Sequence, residues 1–265
     1  MLKRYLNPAN YVRKCIQLCH ECVYNADRFR AKEREKFSRM GFRYDDALAY
    51  LNETLGKLNK PAYEEKTDMA SVHWILFCCI HAVSDVRSIL EIGTYDGETA
   101  LLLSRIFPEA AVTTVDVPDD DPIFSASYRR ENTTERRQFH ERRRKNLENA
   151  GVRFIQRNSF FLPGLVDGVF DLVWVDGGHL YPEIAWDLCN AYHLCAPGGW
   201  LMCDDVVTHP KGFRNEVSSP DSYHVLEYIQ KRTDDEITYF LKRESPFFSA
   251  NPRKRKFVAV QRKKE

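Results

Sequence analysis

Two short clusters hold the side chains best suited to move a proton or to hold a cation. One is Asp176-Gly177-Gly178-His179, directly after the apolar run Phe170 to Val175. The other is Cys203-Asp204-Asp205, which closes the run beginning at Gly199. A histidine, with an unperturbed pKa of about 6.5, can take a proton from a hydroxyl near neutral pH. A plainer role for His179 is to cap the helix that Pro182 opens. His209, in the loop beyond Asp205, is a rival base. Two more acids mark other apolar runs: Glu91 lies within Ser88 to Ile92, and Asp116 follows Ala111 to Val115. These runs read as strands, and in open α/β sheets ligands bind beyond the carboxyl ends of the strands.

The first of these strands feeds a glycine turn, Gly93-Thr94-Tyr95-Asp96-Gly97, and Thr99 opens a helix after it. Such a strand–turn–helix points unpaired backbone N–H groups at whatever sits above the strand's end. Asp116 stands nineteen residues past Gly97. An acid at the tip of the second strand is placed to accept hydrogen bonds from a ribose diol. The pattern therefore asks for a nucleoside-bearing cofactor. The spacing is G-x-x-x-G, without the middle glycine that admits a pyrophosphate in the dinucleotide fingerprint. Glu91, Asp96 and Glu98 crowd the turn and would repel phosphates. They suit a cationic ligand such as S-adenosylmethionine, which carries a sulfonium and an ammonium. NAD is the alternative.

Glu91 to Gly97, extended as ILEIGTYDGETALLLS, resembles motif I of the class I S-adenosylmethionine-dependent methyltransferases. It is similar in particular to the small-molecule O-methyltransferases, among them catechol-type enzymes and bacterial enzymes that methylate sugars and antibiotics. The resemblance runs from about Ser71 to Val260 and is weakest between Pro118 and Ala150. It implies a seven-stranded sheet with the last strand inserted antiparallel. It implies that Glu91, Gly93, Tyr95, Gly97 and Thr99 cradle the methionine end, that Asp116 holds the ribose, and that Asn158 and Ser159 hold the adenine. Phe160 or Phe161 would stack on that ring. A plain turn capped by Asn158 is the alternative there. Asp176 would reach the ammonium, a metal or both, and His179 stands where catechol-type enzymes carry a lysine proposed as general base.

The same resemblance brings Asp176, Asp204 and Asp205 together from neighbouring strand tips. Three carboxylates do not converge without compensation, because desolvating like charges is costly. Catechol-type enzymes resolve this with Mg²⁺ held by an aspartate and an Asp-Asn pair. Asp205 replaces the asparagine, so the triad reads either as a Mg²⁺ site or as a metal-free site with Asp205 as a hydrogen-bonding base.

The elements that must position these groups follow one rhythm from Val86 onward: strand, helix, strand, helix. The strands expected are Ser88–Ile92, Ala111–Val115, Val152–Gln156, Phe170–Val175 and Gly199–Cys203, with Ile237–Leu241 and Phe257–Val260 as a closing antiparallel pair. The fold class is α/β, a doubly wound, Rossmann-like, mostly parallel sheet with an N-terminal helical cap. Residues 1–67 form the cap and 68–265 the methyltransferase domain, with a basic helical insertion at about 118–150. In the cap, residues 9–38 read as helical, Gly41 breaks the pattern, and Asp45 to Leu58 forms a second helix. A third helix runs from about Asp68 to Val83. The lid falls between Thr208 and Tyr223.

Composition narrows the function classes. With 39 basic and 38 acidic residues the chain has no global pull toward nucleic acid or membrane. The longest apolar run, Trp74 to Ile80, is too short to span a bilayer. No secretory leader is evident, so a cytoplasmic setting is expected, with the eight cysteines reduced and buried. Cys15, Cys19 and Cys22 have the spacing of the radical S-adenosylmethionine cluster but fall on one helix face, which reads as core or interface packing. The arginine-rich stretch Arg129 to Lys145 reads as a solvated helix face, or as a basic lid for an anionic acceptor. Arg253 to Lys256 reads as strand-edge charge. The leading expectation is O-methylation of a small-molecule hydroxyl, with a possible homodimer through the cap helices. The rivals are an RNA methyltransferase, which the neutral charge disfavours, and a non-catalytic S-adenosylmethionine-binding scaffold.

Overall fold

The structure, a computed structural model, describes residues 8–23, 25–64, 71–122, 133–209, 219–242 and 255–264. Four helices come first: α1 (Pro8–Val23), α2 (Ala26–Arg39), α3 (Tyr44–Lys57) and α4 (His73–Val83). Then β1 (Ser88–Ile92), α5 (Glu98–Ile106), β2 (Ala111–Asp116), α6 (Thr133–Ala150) and β3 (Arg153–Gln156) alternate. A short 3₁₀ turn (Ser159–Gly164) leads to β4 (Phe170–Val175), α7 (Glu183–Leu194), β5 (Cys195–Val206) and α8 (Asp221–Thr233). The chain closes with β6 (Ile237–Leu241) and β7 (Phe257–Arg262). The sheet order is β3-β2-β1-β4-β5-β7-β6, with β7 antiparallel to both its neighbours. The expected doubly wound, seven-stranded sheet is therefore present.

The strands are apolar on both faces because two cores flank them. Alternate residues divide between the two, as the period of a strand requires. Ile89, Leu172, Trp174, Trp200, Met202 and Phe240 pack toward α2, α3, α4 and α5. Leu90, Ile92, Val173, Val175, Leu201 and Cys203 pack toward α7 and α8. Phe37 of α2 and Leu51 and Leu55 of α3 sit in the first core, so these helices share it with the sheet. The order reverses between β1 and β4, and their carboxyl ends form the switch point where such sheets bind ligands.

The N-terminal stretch departs from expectation. Residues 9–38 do not form one helical unit. Asn25 breaks it: its side chain accepts from the Arg28 N–H at 2.8 Å and caps α2. Cys15, Cys19 and Cys22 are exposed, as are Val12, Ile16 and Leu18 on the same helix. The core-packing reading of that cysteine face is overturned. Cys189 is exposed too, leaving only Cys78, Cys79, Cys195 and Cys203 buried as expected. No helix among the described residues is long and apolar enough to cross a membrane.

Candidate active site

The switch point is built on one close backbone contact. The Gly93 N–H donates to the Val115 carbonyl at 2.9 Å, and the Asp176 N–H donates to the Ile92 carbonyl at 2.8 Å. Gly93 has φ +100°, and a Cβ there would lie 2.3 Å from the Asp176 carbonyl oxygen. Only glycine fits. Tyr95 turns the chain at φ 50° and donates its N–H to Asp116 Oδ2 at 2.9 Å, while Val117 N–H reaches Asp116 Oδ1 at 2.8 Å. Asp116 thus sits at the tip of β2, facing the turn. Gly97, at φ +76°, caps α5, and Thr99 is half-buried in its first turn.

Glu91 lies beneath this turn, fully buried. It accepts from Thr114 Oγ1 at 2.5 Å, and Thr114 meets Thr94 Oγ1 at 2.5 Å. Burial pushes its pKa up to about 8; the Thr114 hydroxyl pulls the other way, and the charges of Asp116 and Asp96 add to the rise. Its second oxygen, Oε1, has no hydrogen-bond partner among the described residues.

On the far side of the switch point, His179 is buried to 9% exposure. Its Nε2 lies 3.7 Å from Asp176 Oδ1 and 3.9 Å from Asp205 Oδ2. Burial holds its pKa below the ordinary value, against the pull of Asp205 and Asp204, so the neutral ring is favoured at neutral pH. Asp176, with 30% of its side chain exposed, is pushed up by desolvation and by the charge of Asp204, against Lys242. His179 does not cap the following helix; Pro182 occupies that position, and no side chain caps it among the described residues. The His179 carbonyl accepts from Ser219 Oγ at 2.8 Å. His209 follows β5 half-buried. Of the expected lid, residues 210–218 lie outside the described residues.

Asp204 and Asp205 do not stand uncompensated. Lys242, one residue past β6, hydrogen-bonds Asp204 Oδ2 and reaches Asp205 Oδ1 at 2.5 Å. Lys256, just before β7, reaches Asp205 Oδ2 at 2.7 Å. Burial tends to lift the Asp205 carboxyl, but Lys242, His179 and Lys256 hold it well below the ordinary range. In the expected Mg²⁺ triad of Asp176, Asp204 and Asp205, the compensating charge seen is lysine: Asp204 Oδ2 and both Asp205 oxygens are bonded to it, whereas Asp204 Oδ1 has no partner among the described residues. Among the described residues no group of three His, Cys, Asp or Glu could hold a metal ion. Lys256 also corrects the strand-edge reading of its basic run, of which Arg253 and Lys254 lie outside the described residues.

Asn158 accepts from the Phe160 N–H at 2.9 Å and caps the 3₁₀ turn, the plainer of its two expected roles. The Ser159 carbonyl accepts from Trp186 Nε1 at 3.1 Å, and Phe160 stacks on Trp186 with ring centroids 4.9 Å apart. Asp187, which the sequence reading passed over, is buried beneath this corner. A Cβ on Gly177 would lie 3.3 Å from its Oδ2. Burial raises its pKa to about 6 against a hydrogen bond from Ser159, and its Oδ1 has no partner among the described residues. The signal was available: Asp187 falls on the helix face of Ile184, Leu188 and Ala191, where a charge is out of place.

The arginine-rich helix is not a solvated face throughout. Arg142 pairs with Asp96 of the glycine turn at 2.9 Å, Arg143 pairs with Asp119, and Arg136 bonds the Asp119 carbonyl. Phe139 is buried edge-on against Tyr95 at 5.2 Å. This helix pins the turn and the loop after β2, whereas Arg137 and Lys145 are exposed. Arg129 and Arg130 lie outside the described residues.

Residues 90–206 match a family model described as a methyltransferase domain. The matched stretch, somewhat under half of the chain, runs from β1 to the end of β5. That stretch is thus similar to a methyltransferase domain, and it holds every acid of the site as well as His179. Lys242 and Lys256 lie beyond it. No curated protein matches the chain significantly. Solved structures similar to it include the O-methyltransferase TomG from Streptomyces achromogenes, in complex with SAM, at 18% identity and a TM-score of 0.47, covering 92% of this chain and 100% of that one. Another is an O-methyltransferase from Bacillus cereus in complex with SAH, at 16% identity and 0.47, covering 86% and 96%. An rRNA methylase from Streptococcus thermophilus matches at 12% identity and 0.48, covering 75% and 100%. Such distant likenesses do not choose among acceptors.

Proposed function

We propose that this chain is an S-adenosylmethionine-dependent methyltransferase that acts on a hydroxyl of a small molecule. The observation that carries the reading is the position of His179. A buried, neutral imidazole stands at the switch point, flanked by two carboxylates, across from an acid-lined glycine turn. The site suits the cofactor's charges: Asp96, Asp116 and Asp176 stand at the strand ends around it, and Asp187 Oδ1 is a buried acceptor without a partner among the described residues. Asp116 is assigned to the ribose, the turn from Gly93 to Thr99 to the methionine end, and the corner of Asn158, Ser159 and Asp187 to the adenine.

S-Adenosylmethionine, when bound, supplies a methyl group on a sulfonium that leaves as a neutral thioether. The chain's residues do the rest. His179 Nε2 would take the acceptor's hydroxyl proton, leaving the oxygen's electron pair to accept the methyl group that the bound sulfonium would supply. The imidazolium that results is stabilised by Asp176 and Asp205 at 3.7 and 3.9 Å. Holding the partners in line accounts for most of the rate, since the displacement needs little further chemistry.

An anionic acceptor draws support from Arg30 and Arg34, which line a cleft with Lys242 between α2 and the end of β6. A cytosolic setting accords with the eight free cysteines, and a homodimer has its most suitable surface on the exposed apolar side of α1. The test is methyl transfer from labelled S-adenosylmethionine to sugar, phenol and RNA acceptors. Label on a hydroxyl compound is expected. Label on RNA alone, or on nothing while the cofactor binds, would favour the rivals.

A further inference from the structure

Neighbours in a regular strand point to opposite faces, yet Asp204 and Asp205 grip the same ammonium. The backbone is bent to allow it. Asp205 has φ 52°, and the pairing of β5 with β7 loses its register between Cys203 and Val206. A left-handed aspartate at a bulge is a conformation that surrounding contacts must hold. Here Lys242 and Lys256 hold it. Lys242 is fixed in turn: its carbonyl accepts from Val72 N–H at 3.0 Å, and its N–H donates to the Lys256 carbonyl at 2.9 Å. Two strand ends and the start of α4 converge to seat one buried cation beside His179.

Resting on the methyltransferase reading above, we infer that Lys242 is a built-in cation at the acceptor end of the site, and that the enzyme methylates a single hydroxyl held by one ammonium N–H rather than a vicinal diol chelated by a metal. An ammonium has three N–H donors. Asp204 and Asp205 take two, which leaves one, and one donor serves one oxygen. A divalent ion with open coordination positions would bind both oxygens of a diol. It would also have to displace an ammonium that two carboxylates hold. The positive charge beside the acceptor oxygen favours release of its proton to His179.

Full-length protein loaded with S-adenosylhomocysteine would be titrated with Mn²⁺ and the free-ion paramagnetic resonance signal followed. The signal is expected to stay that of free Mn²⁺, and methyl transfer is expected to survive EDTA. Monohydroxy acceptors are expected to turn over at least as well as their vicinal-diol counterparts. Lys242→Met is expected to keep its calorimetric affinity for S-adenosylhomocysteine while kcat falls roughly 100-fold, the scale for loss of one donor to a developing oxyanion, with partial recovery in Lys242→Arg. Stoichiometric loss of the Mn²⁺ signal, EDTA-sensitive turnover, or strict selection for diols would overturn the inference. The wild-type titration decides the matter even if Lys242→Met does not fold. Absence of any heat with S-adenosylhomocysteine would instead strike at the methyltransferase reading itself.

Discussion

His179 can accept a proton only while its ring is neutral. Burial lowers its pKa, so the acid limb of kcat is expected below about pH 6.5, with a plateau above it. A pH–rate profile whose acid limb falls above neutrality would assign the base elsewhere. His179→Ala is expected to lower kcat on the order of 10²–10⁴-fold and to leave cofactor affinity near the wild-type value. Glu91 behaves in the opposite sense. Its carboxyl ionises at about 8 in the folded chain, against 4.5 as its ordinary value. The folded state therefore keeps a proton that the unfolded chain gives up. Stability is full below about pH 4.5, declines as pH rises toward 8, and levels off beyond. Denaturant midpoints at about pH 5 and pH 8 would show this loss in wild type and a flatter profile in Glu91→Gln. An unchanged slope in the variant would show that Glu91 is not the group responsible.

The unit that matters most at the next scale is β1, its turn and α5, clamped from outside by α6. Gly93 permits β1 and β4 to end in backbone contact. Gly93→Ala would place a methyl 2.3 Å from the Asp176 carbonyl at a left-handed φ, and is expected to cost on the order of 2–5 kcal/mol in denaturant unfolding. A loss under 1 kcal/mol would mean that the two strand ends are free to separate. This unit was legible in the sequence because glycine spacing, apolar runs and terminal acids are local signals. The helix break at Asn25 was a local signal too, but the helical spacing of apolar residues before it and the charged run after it masked it. The role of α6 was not legible. Its arginines answer Asp96 and Asp119, and sequence alone gives no means of pairing a charge run with acids on another element. Asn158 shows a third case: its capping of the 3₁₀ turn was readable, but a cap and an adenine contact draw on the same residue type.

Across the whole molecule, two cores on either face of a seven-stranded sheet bring the ends of β1, β2, β4, β5 and β6 to one edge. The order of strands was readable from alternating β and α segments with an antiparallel close. The electrostatics of the edge were not. Asp204 and Asp205 announced a charge that had to be neutralised, and sequence reasoning left a Mg²⁺ site and a metal-free site as alternatives because it could not place the lysines. The lysines come from beyond the next helix, on strands whose pairing alone places Lys242 and Lys256 beside β5. Lys242 is a residue that only the assembled fold brings to this edge, whereas Asp187 was legible as a charge on an apolar helix face. All of this serves one pocket, and that pocket's occupant can be measured directly by titrating the full-length protein with S-adenosylmethionine in a calorimeter, beside an Asp116→Ala variant and an NAD control. The wild type is expected to bind S-adenosylmethionine in the micromolar range, and the variant about tenfold or more weaker, near the loss of a charged hydrogen bond. Tight binding of NAD with no heat from S-adenosylmethionine would contradict the assignment of the site.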